Sequence, residues 1–182
     1  FLKYGICYVQ KKDTIEKHIM RYPQFFASKE IVKKLDKNQT KGVIWHTQGS
    51  GKTALAFYNV HNLTNYFRYK NIVPRFYFIV DRLDLMEQAS KEFISRGLKV
   101  HLINSKEELL SEFKKDSTPK NLEGRKEITV VNIQKFKDET DLMKGRDYNL
   151  NIQRVYFLDE VHRSYKPKGN FSKEKTEDYT IP

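Results

Sequence analysis

At 182 residues the chain can bury one sizeable core but not two. Its 31% charged and 38% hydrophobic residues describe a globular protein with a wet surface and exclude a low-complexity chain. No apolar run approaches the roughly 20 residues that span a bilayer, and Phe1-Leu2-Lys3-Tyr4-Gly5 lacks the pattern of an export signal, so a cytoplasmic protein without a membrane segment is expected. A start at Phe1 rather than Met fits a piece of a longer protein. Cys7, the single cysteine, rules out an internal disulfide or a multi-cysteine zinc site, and its neighbours Ile6 and Tyr8 suit a packed thiol. The net charge of +11 attracts phosphate backbones through counterion release, although interspersed acids leave a merely solvated surface as the alternative.

Along the chain, Asp13 to Asp36 reads as helical, with apolar Ile15, Ile19, Phe26, Ile31, Val32 and Leu35; Pro23 divides it into two short helices. Gly42-Val43-Ile44-Trp45 reads as a strand, and a helix is expected from Lys52 to Arg68. A strand at Arg75 to Val80, a helix at Leu83 to Ser95 and a strand at Leu98 to Ile103 follow. Then come a helix near Lys106 to Lys114 and strands at Ile128 to Val131 and Val155 to Leu158. Strands that are apolar without alternation are buried on both faces. With helices between them they imply an open, doubly wound α/β domain with a mostly parallel sheet and helices on both faces. Polar stretches 116–126 and 138–151 read as surface loops. The expected organisation is a helical lead-in over 1–40, the α/β body over 41–165, and a polar loop or cut end over 166–182.

Two motifs carry chemistry. His46-Thr47-Gln48-Gly49-Ser50-Gly51-Lys52-Thr53 lies between an expected strand and an expected helix, the context a phosphate-binding loop requires. Gly49 and Gly51 allow a tight turn in which the amides of Gln48 to Thr53 face phosphate oxygens at a helix N-terminus. Lys52 would reach the β and γ phosphates of a nucleotide, and Thr53 would offer its hydroxyl to Mg²⁺. His46 stands where the general pattern has its first glycine. The second motif is the strand ending in Asp159-Glu160, placed where sites of α/β domains lie. Asp159 would hold Mg²⁺ and Glu160 would polarise the water that attacks the γ phosphate.

Asp159-Glu160-Val161-His162 resembles the DEAH-type motif II of superfamily 2 helicases and translocases, where the histidine couples nucleotide to a second lobe. The runs Trp45 to Thr53 and Asp159-Glu160-Val161-His162-Arg163-Ser164 together resemble the R subunits of type I restriction enzymes, with His46 as that family's variant of the loop. Val80-Asp81-Arg82-Leu83-Asp84-Leu85-Met86-Glu87-Gln88 is similar to the family's motif Ia. Val131-Asn132-Ile133-Gln134-Lys135-Phe136 is similar to the next run, with Asn132 where Thr or Ser is usual. Arg21-Tyr22-Pro23-Gln24 resembles the Q motif, whose glutamine reads adenine; a solvated glutamine at a helix start is the alternative.

The resemblance implies a first RecA-like P-loop lobe that uses ATP and Mg²⁺ to drive double-stranded DNA. A second lobe with an arginine finger and a nuclease domain would lie elsewhere in the parent chain, and modification and specificity subunits would be partners. Arg82, Gln134 and Lys135 lie just past strand ends, where they would hold phosphates of the tracked DNA; ordinary surface polarity is the alternative. Without the arginine finger the chain alone should bind ATP and turn it over poorly. The competing readings are a lobe of another superfamily 2 DNA or RNA helicase and a non-catalytic nucleotide-binding scaffold. Against the scaffold stand Lys52, Thr53, Asp159 and Glu160, a set that only hydrolysis needs.

Overall fold

The computed structural model describes residues 5–47, 49–105, 108–109, 111–112, 126–132 and 152–159. The chain opens with a hairpin, β1 (Ile6–Lys11) paired antiparallel with β2 (Thr14–Ile19), Ile6 opposite Ile19 and Lys11 opposite Thr14. This corrects the helix expected over the first part of 13–36, and with it an all-helical lead-in. The four-residue spacing of Ile15 and Ile19 suggests a helix stripe facing the core, but both side chains lie on the outer face of the ribbon and are exposed. The inner face belongs to Cys7 and Val9, both buried, so Cys7 is the packed thiol expected of it. A hairpin wins here because β-branched Thr14, Ile15 and Ile19 find a partner strand two residues upstream, which a helix reading of one segment does not consider.

Helix α1 (Tyr22–Asp36) then starts afresh with Pro23 in its first turn, where the missing N–H costs nothing. Residues 39–47 carry no regular structure. The strand expected at Gly42 to Trp45 is therefore absent: Val43 is 89% and Trp45 91% exposed, without the pairing partner that an apolar run cannot announce by itself.

The body follows the expected alternation: α2 (Lys52–Arg68), β3 (Val73–Val80), α3 (Leu83–Ser95), β4 (Lys99–Ile103), β5 (Glu127–Asn132) and β6 (Ile152–Leu158). The four strands form one sheet in the order β4-β5-β3-β6, every neighbouring pair parallel. One face buries Phe76, Phe78, Val80, Ile128 and Val130 in a core shared with α2 and α3; the other buries Tyr77, Ile103 and Val131 with Leu109, one of the helical residues at 108–109 and 111–112. Apolar stripes drive this. On α3, Met86, Ala89 and Phe93 recur at three- and four-residue spacing and are all buried, and a side chain such as Phe93 contributes about 1.5 to 3 kcal/mol on leaving water.

Helices α1, α2 and α3 stop in the same way. Asn38, Asn71 and Gly97 take left-handed backbone just past the last turn, and the following residue donates its N–H five residues back, Gln39 to Lys34, Ile72 to Phe67 and Leu98 to Phe93. Among the described residues no helix is long and apolar enough to cross a membrane.

Candidate functional site

The short link 69–72 joins the end of α2 to the start of β3, and α2 packs on β3. The helix must therefore run back along the strand. Its 17 residues span about 25 Å and the eight of β3 about 26 Å, so Lys52 is returned to the edge where β3, β5 and β6 end. The loop and the strand-end acids share that edge by chain geometry alone.

Gly51 caps α2 with φ 81° and Gly49 has φ 76°, both in the left-handed region that a side chain would strain. Gly51 is required twice over, since a Cβ there would stand 2.6 Å from Gln24 Nε2. The turn is closed by the Ser50 N–H donating to Thr47 O at 3.3 Å, and the Leu55 N–H donates to Gly51 O at 2.9 Å to start the helix. Lys52 Nζ reaches back toward Thr47 O at 3.5 Å, a long contact that a phosphate would easily outbid. No acidic residue occupies the first turn of α2, so nothing in the helix neutralises the partial positive charge of its N-terminus.

Gln24 comes from the first turn of α1. The resemblance assigns this amide to adenine, yet here its Oε1 accepts the Arg21 N–H at 2.8 Å, while Nε2 donates to Ser50 O at 3.2 Å and to Gly51 O at 2.9 Å. It is buried, not solvated.

Across the edge, the Asp159 N–H donates to Ile79 O at 2.9 Å, extending the β3–β6 ladder one residue beyond Leu158 and fixing the backbone of the acid. Two further polar residues end neighbouring strands. Asn132 is buried at the end of β5, and Asp81 follows β3 with a buried Oδ1 that has no hydrogen-bond partner among the described residues. Position alone flags Asp81, which directly follows an apolar strand. A buried carboxylate oxygen without a donor is costly unless water or a cation meets it. Asp81 and Asp159 follow paired strands at the same sheet edge, and carboxylate oxygen is the donor type that Mg²⁺ takes. No group of three His, Cys, Asp or Glu side chains gathers among the described residues.

Arg82 caps α3 and makes a two-pronged pair with Asp84, at 3.0 Å from Nε and 2.7 Å from Nη2, on an exposed surface where such a pair is cheap to open. Gln48, Gln134, Lys135, Glu160 and His162 lie outside the described residues.

The family described as type III restriction enzyme, res subunit matches residues 17–180, which takes in the loop, the sheet and the strand-end acids. The chain belongs to that family. Its mostly parallel four-stranded sheet with helices is the RecA-like α/β fold of that family. The resemblance to type I R subunits is borne out by individual relatives. One, from Methanocaldococcus jannaschii, is named for the endonuclease subunit of the type I restriction enzyme MjaVIIP and is 44% identical over 46% of this chain. The type I restriction enzyme SsaAORF53P endonuclease subunit of Staphylococcus saprophyticus is 31% identical over 80% of it. These matches span 8% and 14% of those two proteins' lengths. A Mycoplasma pneumoniae protein, named for the C-terminal part of the MpnIIP endonuclease subunit, is 30% identical over 80% of this chain and 72% of its own length.

Proposed function

We propose that this chain is the ATP-binding motor lobe of a type I restriction endonuclease R subunit, working in the cytoplasm and coupling ATP hydrolysis to translocation of double-stranded DNA. The observation that carries the reading is the loop at Gly49 and Gly51, left-handed at both glycines, opening α2 toward the strand edge that also bears Asp159. Backbone amides from Gln48 to Thr53 bind the phosphates, and Lys52 leaves Thr47 O to pair with the β and γ phosphates. Thr53 and Asp159 hold Mg²⁺, which when bound neutralises charge on the phosphates. Glu160 takes a proton from the attacking water, and His162 relays the state of the nucleotide to a second lobe of the parent chain. Arg82 exchanges Asp84 for a DNA phosphate, and Gln134 and Lys135 bind further phosphates, so the strand is gripped without its bases being read. Cleavage falls to a nuclease domain elsewhere in the parent, and recognition to the modification and specificity subunits.

The test is ATP turnover by the full-length parent with those subunits, on duplex DNA with and without methylation, on single strands and on RNA. Stimulation confined to unmethylated duplex carrying the target is the expected result, with Glu160→Gln binding ATP but not turning it over. Stimulation by RNA or single strands without the subunits would instead make the lobe that of a general helicase.

A further inference from the structure

We propose that Gln24 is a positioning residue of the phosphate loop, whose amide sets the direction of two loop N–H groups, so that its effect on nucleotide binding is felt through the triphosphate and not the base. The inference rests on the ATP-binding reading above. A primary amide has two N–H donors and one acceptor oxygen, and all three are engaged within the chain: Oε1 by the Arg21 N–H, Nε2 by Ser50 O and Gly51 O. Gln24 is only 3% exposed, and its Nε2 fills the place that a side chain on Gly51 would take. To read adenine it would have to turn a donor outward and release the loop.

Peptide planarity gives the contact its chemistry. In a trans peptide the C=O and the next N–H point in opposite directions. Holding Ser50 O therefore aims the Gly51 N–H away from Gln24, and holding Gly51 O does the same for the Lys52 N–H. These two amides belong to the turn that receives phosphate, and a flexible glycine loop would otherwise lose entropy to orient them. The Arg21 N–H fixes the amide from behind, so the start of α1 braces the loop across 26 and 27 residues of sequence.

The experiment measures equilibrium binding of ATP, GTP and inorganic tripolyphosphate, with Mg²⁺, to the full-length parent and two variants. Gln24→Met keeps length and neutrality but has no donor. Gln24→Glu keeps the acceptor for Arg21, so helix and cap survive if the Met variant does not fold. Its added charge falls on ATP and GTP alike and leaves their ratio informative. Loss of two hydrogen bonds should weaken all three ligands by about tenfold, with the ATP-to-GTP ratio unchanged. A loss confined to ATP would make Gln24 a base reader, and unchanged binding of all three would reduce it to a helix cap; either overturns the proposal. Lys52→Ala in the same assay separates the two readings: if it binds like the wild type, or if the wild type binds none of the ligands, the phosphate-loop assignment itself fails.

Discussion

The lead-in and the α/β body respond differently to the same kind of sequence. In the body, apolar runs such as Phe76 to Val80 are covered from both sides of the sheet, and every side chain in that run is buried. In the lead-in Ile15 and Ile19, and in the irregular stretch just before α2 Val43 and Trp45, are as apolar and are exposed. The difference lies in the number of partners: a strand buried on two faces has nowhere else to go, whereas a ribbon with one covered face leaves half of its apolar residues in water.

The largest effect should come from the body. Phe93→Ala removes a fully buried ring packed edge-on against Phe78 and should cost about 3 to 5 kcal/mol in denaturant unfolding; a loss below 1 kcal/mol would mean the body is as loosely covered as the lead-in. Gly51→Ala comes next, at about 2 kcal/mol or more, because it meets both positive-φ strain and the Gln24 amide at the seam between the two regions. Double-mutant analysis with Gln24→Met should recover part of that cost.

A pH series reads the body in another way. Burial first, and then the positive charge of Lys126, push His61 down to about 4. Between roughly pH 6.5 and 4 the unfolded chain takes a proton at this histidine that the folded chain refuses, so stability falls as pH drops through that window and is unaffected by His61 above it. The expected loss is about 2 kcal/mol, and His61→Phe should flatten that part of the profile. The smallest effect is expected at Trp45→Ser, within about 0.5 kcal/mol, since the ring is 91% exposed. A loss of several kcal/mol there would place residues 42–45 in a packed strand and erase the contrast between the regions.

Where periodicity and coverage agree, the sequence is legible to the residue: α2 and α3 begin and end where their apolar spacing and flanking Gly51 and Gly97 put them. The hairpin escaped because Thr14 to Ile19 also carries a helical spacing, and its true partner, Ile6 to Lys11, becomes visible only when pairing is considered. At the site, the glycines and the placement of Asp159 after a strand were readable from local chemistry. The contact from Gln24 to Ser50 and Gly51 was not, because no local pattern links residues that far apart in sequence. Arg82 shows the reverse, a partner only two residues away that competes with the expected one.

The inner face of the hairpin has a practical bearing on how the lobe is handled. Cys7 Sγ lies 3.7 Å from the hydroxyl of Tyr58 on α2, and Cys7, Val9 and Met20 belong to the same core as Tyr58, Val60 and Phe93. An expression boundary drawn at the tidy start of α1 would strip this cover and leave an oily face on α2, the kind of patch that drives aggregation. A shortened version intended for crystallisation or assay therefore has to begin upstream of Ile6, however dispensable the ribbon looks beside the nucleotide loop.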